Sequence, residues 1–339
     1  MSENGSYAVK DKSFPINSHL LTPESITENF IVQAHSLEYK GKRFFFDIEG
    51  CLDVKIKPIL FLNGAFQNRK SWKKFVKHFK EDTICITTDL PGMGEADTID
   101  EDTPFDFQAE CINEILQDLG VEEVNMISAS FGSPIAIKFA QMYPQRIHKN
   151  IITGPLTEAP NYVREKVYTI LKHLKTNDMQ AFTNQVVSIL LNSEKTTDIE
   201  KHRLAYKILN GLKSLSDNDK NNFSITCRRL LTKSVYTNKN SILKETLIFT
   251  GEFDHFTSPE YCLNIAKLFK DVLFTTIKRA DHMYHIEQFD TMLFLLDSFF
   301  KNKFKDLVNN QNINNYNITG EKWKKRENHT TSPLLINMK

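Results

Sequence analysis

Cysteine is scarce in this chain and poorly placed for structural chemistry. Cys51, Cys85, Cys111, Cys227 and Cys262 are odd in number, scattered, and without a CxxC spacing, which argues against both a disulfide framework and a zinc site. A reducing, cytoplasmic setting is therefore expected. An excess of charge of one sign is missing too: 43 Lys and Arg face 42 Asp and Glu, a net charge of +1. Such a balance sets up no long-range field to gather nucleic acid or anionic membrane. No run reaches the about 18 apolar residues that a membrane-spanning helix needs, and the opening MSENGSYAVKDKSF lacks the apolar core of a signal peptide. There is no internal repeat, and the histidines and acids form no convincing metal-ligand set.

What the chain does have is material for a core. Its 339 residues are 40% hydrophobic and 11% aromatic, enough for one large domain or a core domain with an insertion. ENFIVQAHSLEYKG and KRFFFDIEG, rich in β-branched and aromatic residues and split by a Gly-containing turn, predict a hairpin. KPILFLNGAF, TICITTDL, VNMIS, KNIITG, KETLIFTGEFD and VLFTTIKRADH each carry a short apolar run of the kind buried on both faces of a parallel sheet. Between the earlier runs lie helical spacings, SWKKFVKHFK, FDFQAECINEILQDLG and the stretch from Ser133, with Gly120 as a stop signal. This alternation implies βαβ crossovers and a mostly parallel central sheet, an α/β fold.

The rhythm stops between about 156 and 238, where VREKVYTILKHL and MQAFTNQVVSILL space their apolar residues for helices alone. The expected organisation is an N-terminal extension at 1–30, a first part of the core at 31–155, an inserted helical cap at 156–238, and a second part of the core at 239–303. A tail at 304–339, Asn- and Lys-rich, is expected to be disordered because it has too little apolar surface to bury.

SASFG, residues 128–132, joins a predicted strand to a predicted helix. Small residues at Ser128 and Gly132 suit a nucleophile held on a crowded turn. Alone the stretch reads equally well as a Ser-rich turn. A serine nucleophile needs a histidine base, itself oriented by a carboxylate. Asp254 follows the strand TLIFT and His282 follows VLFTTI, giving the chain order Ser, Asp, His at successive strand ends. The backbone N–H of Phe131, at the start of a helix, and that of Ala65, in the loop Asn63-Gly64-Ala65-Phe66, are the candidate oxyanion donors. Gly64 permits close backbone approach, and Asn63 reads either as a brace for this loop or as a turn residue. His285, His255, Asp281 and Asp89 read as structural. Val167, Ile170, Leu171, Leu174, Phe182, Val186 and Leu190 of the cap either line an acyl pocket or bury the cap on itself.

Over roughly residues 40 to 300 the chain resembles proteins of the α/β-hydrolase fold. Within that fold, FLNGA, TTDLPGMGEAD, VNMISASFGSP and TGEFDHFTSPE resemble bacterial hydroxyacyl-acyltransferases. That group makes the hydroxyalkanoyloxyalkanoate lipid of rhamnolipids, and its relatives move 3-hydroxyacyl groups from acyl carrier protein to coenzyme A. Ser133 stands where those proteins have a second glycine, and DHMYHIEQF resembles esterases and dehalogenase-like hydrolases instead. The resemblance implies Ser130 as acyl acceptor, His282 as base and Asp254 as its orienter, an acyl thioester substrate on acyl carrier protein or coenzyme A, and no cofactor or metal. The alternatives are an esterase or thioesterase that releases the free acid, and a hydrolase-like protein that binds a ligand without turnover.

Overall fold

Segments that are apolar at nearly every residue become the middle of a sheet, and those that alternate become its edge. The computed structural model describes residues 16–17, 26–27, 29–233, 235, 242 and 244–319. A short β1 (Ile26–Thr27) and the hairpin of β2 (Phe30–Tyr39) and β3 (Lys42–Cys51) form one antiparallel flank. Lys40 and Gly41 make the two-residue turn, both at positive φ (49° and 73°), the geometry that matches the twist of paired strands. The interior strands are β4 (Ile59–Leu62), β5 (Ile84–Asp89), β6 (Val124–Ala129), β7 (Ile147–Thr153), β8 (Thr246–Gly251) and β9 (Val272–Ile277). From β5 to β9 all neighbouring pairs are parallel, and β4, β5, β8 and β9 are buried along their whole length. Among the described residues the strand order is β1-β2-β3-β5-β4-β6-β7-β8-β9-β10, where β10 (Ile313–Thr319) closes the far edge antiparallel to β9.

Helices cover both faces. α1 (Lys73–Phe79) follows β4, α2 (Phe105–Leu119) follows β5, and α3 (Ser133–Met142) follows β6. α2 ends at Gly120 in the left-handed conformation, φ 69°, as the stop signal predicted. Between β7 and β8 the described residues form helices, α4 (Asn161–Lys175), α5 (Met179–Leu190), α6 (His202–Asn210) and α7 (Asp217–Thr232), and a single bridge of Ile242 to Phe269. α8 (Pro259–Ala266) links β8 to β9, and α9 (Tyr284–Glu287), α10 (Phe289–Phe300) and α11 (Phe304–Val308) follow β9. The core divides in two. One apolar cluster joins Phe44, Phe46 and Ile48 of β3 to α2, α3 and the cap, and the other joins Phe61, Trp72, Phe79 and Leu247 to Leu295 and Phe299 of α10.

One expectation is corrected. Disorder was expected from residue 304 onward, yet α11 and β10 order residues 304–319. Ile313 pairs with Ile277 of β9, and Leu307 and Ile313 are buried in the second cluster. An edge strand is held largely by main-chain hydrogen bonds, which an Asn-rich sequence makes as well as any other. The rest of the tail, and most of the N-terminal extension, lie outside the described residues. Of that extension, Ile16 is buried and Asn17 donates its backbone N–H to the Leu119 carbonyl oxygen at 2.7 Å. No helix among the described residues is long and apolar enough to cross a membrane.

Candidate active site

The turn after β6 holds Ser130 in a conformation few side chains tolerate. Its φ is +45°, a sparsely populated region that costs about 1–3 kcal/mol and persists only where its surroundings enforce it. The enforcement is visible. Ser133 at the start of α3 donates its hydroxyl to the Ser130 carbonyl oxygen and accepts the Leu156 N–H at 2.7 Å, tying the turn to the chain beyond β7. On the other side the loop after β4 presses in: a Cβ on Gly132 would lie 2.7 Å from the Asn63 carbonyl oxygen, so only glycine fits.

The three residues that chain order had singled out meet here. His282 Nε2 is 3.1 Å from Ser130 Oγ, and His282 Nδ1 is 2.8 Å from Asp254 Oδ2. The room for the imidazole comes from Gly154, at φ +53°, where a Cβ would stand 3.1 Å from His282 Cε1. Asp254 is buried and fully engaged. Its Oδ1 accepts the backbone N–H groups of Phe256 and Thr257, both at 2.8 Å, and its Oδ2 accepts hydroxyls from Thr250 at 2.6 Å and Thr257 at 2.8 Å. Burial alone pushes this carboxyl up, but the charge on His282 and the hydrogen bonds from His282, Thr250 and Thr257 outweigh it and leave it below its ordinary 3.8. Thr250 and Thr257 were not singled out in the sequence; their only signal is a pair of threonines flanking Asp254 in TGEFDHFT.

The remaining candidates fall around this centre. Ala65 and Phe131 line the same cavity as Ser130 and His282, while the Gly64 N–H donates to Gln67 Oε1 at 2.6 Å. Gly64 itself packs on the end of β6, where a Cβ would be 3.2 Å from the Ala129 carbonyl oxygen. The Asn63 amide is a brace: it donates to the Thr88 carbonyl oxygen at 2.6 Å and accepts the Trp72 indole N–H at 2.8 Å. Asp89 is likewise structural, accepting the Arg69 N–H at 2.8 Å and its guanidinium at 2.5 Å. Asp281 accepts the N–H groups of Asn192 and Met283, both at 3.0 Å, and its own N–H donates to Glu287 Oε2 at 2.8 Å. Burial pushes both of these carboxyls up. Asn192, just past α5, also donates its side chain to the Phe253 carbonyl oxygen at 3.0 Å, so one cap residue grips the loops of Asp254 and His282 together. His255 Nε2 lies 3.1 Å from the Ser188 carbonyl oxygen. His285 lines the cavity, its imidazole pushed down to about 4 by burial and by His282.

The cavity above Ser130 has a volume of about 410 Å³ and is mainly apolar. Of the cap residues proposed for it, Val167, Ile170, Val186 and Leu190 line it; Leu171 and Phe182 are buried in the core instead, Phe182 edge-on to Phe66 of the loop after β4, and Leu174 packs against the same core. Phe66 and Phe223 stack in its wall with centroids 4.3 Å apart. Among the described residues neither lysine nor arginine lines it.

An Oγ–imidazole–carboxylate chain at the carboxyl ends of parallel strands, beneath a helical insertion, defines a hydrolase-type site. The sequence model described as alpha/beta hydrolase fold matches residues 57–289, and the chain belongs to that family. It is 26% identical over 110 residues to a 2-hydroxy-6-oxononadienedioate/2-hydroxy-6-oxononatrienedioate hydrolase of Paraburkholderia phymatum, covering 31% of this chain and 38% of the relative. It is 30% identical over 99 residues to a poly(3-hydroxyalkanoate) depolymerase of Ectopseudomonas oleovorans, covering 29% and 35%. The chain thus spans well under half the length of these two curated relatives. A longer match, 26% identical over 296 residues and 77% of each chain, is to epoxide hydrolase 4 of Mus musculus. In fold it is similar to MGS-M2, an alpha/beta hydrolase enzyme from a Medee basin deep-sea metagenome library, with a TM-score of 0.71, 22% identity, and 79% and 97% of the two chains covered. It also superposes on the enol-lactonase from Burkholderia xenovorans LB400 with a TM-score of 0.68, 13% identity, and 79% and 100% covered. Of these five, three are named as hydrolases, one as a depolymerase and one as an enol-lactonase.

Proposed function

We propose that this protein is a serine-dependent hydrolase that cleaves a carboxylic ester or thioester with an apolar acyl chain. The observation that carries the reading is the continuous relay from Asp254 through His282 to Ser130 Oγ, opening directly into the apolar cavity. Ser130 Oγ attacks the carbonyl carbon as its proton passes to His282 Nε2, and the N–H groups of Ala65 and Phe131 hold the oxyanion. His282 then gives that proton to the departing alcohol or thiol, leaving an acyl-serine. Water, deprotonated by His282, attacks the acyl carbon, and Ser130 recovers its proton as the free acid leaves. Asp254 holds Nδ1–H throughout, so that Nε2 faces the hydroxyl as an acceptor.

The cavity wall narrows the substrate class. A dioate, such as the name of the Paraburkholderia relative contains, brings charges that need cationic partners when buried, and among the described residues no lysine or arginine lines this cavity. A monoacyl ester with a neutral chain fits it better. The depolymerase relative, whose name specifies a poly(3-hydroxyalkanoate), supports a hydroxyacyl substrate.

That same clue favours a second reading, in which the hydroxyl of another hydroxyacyl chain takes the acyl group in place of water. The Asn63-Gly64-Ala65 and Ser128-Ala129-Ser130 forms support it, and acyl carrier protein or coenzyme A would then be the carrier. Mass spectrometry of the products from a 3-hydroxyacyl thioester, with Ser130→Ala as control, separates the two. Free hydroxy acid that vanishes in the variant supports the hydrolase; ester dimers that vanish support the transferase; turnover that survives in the variant overturns both.

A further inference from the structure

A nearly neutral chain can still concentrate charge locally, and the segment around α6 does. From Lys201 to Lys213 the sequence KHRLAYKILNGLK holds Lys201, Arg203, Lys207 and Lys213 and no acid. The acid just before it, Glu200, is already paired with Arg279 at 2.9 Å. Ala205 and Leu209 face into the cap and are buried. Arg203 and Lys207, one turn apart, project from the opposite side, a placement that follows from the helical repeat. On the flank between them stand Leu204 and Ile208, also one turn apart, 47% and 45% exposed.

Single exposed apolar residues are ordinary; here two stand together beside a cationic stripe. Ile208 also lines the cavity that holds Ser130. Ile208 thus belongs both to the cavity wall and to the exposed flank that carries Leu204 one turn away. A short helix with an apolar flank, a Lys/Arg face and no acid is what lies in the headgroup region of an anionic bilayer. Nucleic acid would use the cations and gain nothing from the exposed leucine and isoleucine.

We propose that α6 docks this protein on an anionic lipid surface, with Leu204 and Ile208 entering the acyl boundary and Arg203 and Lys207 meeting lipid phosphates. The docking stands on this surface alone. Its consequence, that an apolar ester passes from the lipid along Ile208 into the cavity, rests on the hydrolase reading above.

The test is flotation of the full chain with vesicles of phosphatidylcholine, with and without phosphatidylglycerol. Binding is expected with phosphatidylglycerol, weakening as salt is added. The R203Q/K207Q double variant lowers the partition coefficient about fivefold per cation removed, and L204S/I208S lowers it on the same vesicles. Absence of flotation at low salt overturns the proposal, as does equal flotation of wild type and both double variants. Sedimentation velocity supplies a further check: a wild-type dimer that L204S/I208S dissociates makes this face an interface between copies and overturns the lipid assignment. Ser130→Ala is expected to float like wild type while losing ester cleavage, so failure of the docking and failure of the hydrolase reading are seen separately.

Discussion

Asp254→Asn tests the relay more sharply than removal of the side chain, because the hydrogen bonds around Asp254 decide which way the new amide points. Asn carries one acceptor and one donor group where Asp had two acceptors. The Oδ1 position faces the backbone N–H groups of Phe256 and Thr257 at 2.8 Å, donors that cannot turn away. The Oδ2 position faces two threonine hydroxyls, which rotate to accept. The NH2 group is therefore driven to the Oδ2 side, where it donates to His282 Nδ1 at the present 2.8 Å spacing. With Nδ1 accepting, the proton sits on Nε2 and points at Ser130 Oγ. The base is then blocked by its own proton, a tautomer error worth about 10⁴-fold in kcat, or about 5 kcal/mol of barrier. Initial rates on a p-nitrophenyl ester, normalised to folded protein by circular dichroism, give the number. A variant within tenfold of wild type would falsify the role assigned to Asp254, as would an Asp254→Ala variant far weaker than Asp254→Asn.

Gly132→Ala is expected to lower stability by about 1–3 kcal/mol and to abolish fluorophosphonate labelling, since the new Cβ would sit 2.7 Å from the Asn63 carbonyl oxygen; thermal melts and gel fluorescence read the two effects. Glu287→Gln is expected to stabilise the fold at about pH 8 and hardly at all at about pH 5. Burial and the nearby Asp281 raise the Glu287 carboxyl above its ordinary 4.5, so above that value the folded chain binds more protons than the unfolded one and wild-type stability falls as pH rises toward the folded value. Equal melting shifts at both pH values count against it. Phe223→Ala removes a ring stacked on Phe66 at 4.3 Å, with a loss of about 3–5 kcal/mol and a shift of the preferred ester toward longer acyl chains; an unchanged chain-length profile would show that the ring does not bound the substrate.

The interior of the sheet was legible because its strands are buried on both faces. Ile59–Leu62 and Val272–Ile277 have no solvent side, so their sequences show no alternation and no helical period. The β2–β3 hairpin was legible for the opposite reason, its turn falling on a residue pair with Gly41. β10 was missed because INNYNIT has neither signature. What orders it is the free edge of β9, a partner distant in sequence that composition does not reveal. Ser130, Asp254 and His282 were singled out by order along the chain, and they lie together because each follows a strand that the topology brings to one end of the sheet. The residues that hold them escaped: Ser133 ties the Ser130 turn to Leu156, and Asn192 ties Asp281 to Phe253, across positions that only the fold makes adjacent, while Thr250 and Thr257 bond Asp254 from within four residues with no motif to mark them.

A net charge says nothing about how charge is distributed locally, and the reason is physical. The balance of 43 against 42 charges describes the protein as seen from far away. In physiological salt the field of a charge decays over about 8 Å, a length comparable to one or two turns of helix. At that range a lipid phosphate near Lys207 feels Arg203 and Lys201 and little of the acids elsewhere in the chain. A neutral total therefore excludes long-range steering but leaves contact recognition open. The same short range sets the salt dependence of the flotation experiment: if attraction to phosphatidylglycerol survived undiminished at about 1 M salt, where the decay length is about 3 Å, the cations of α6 would not be its source.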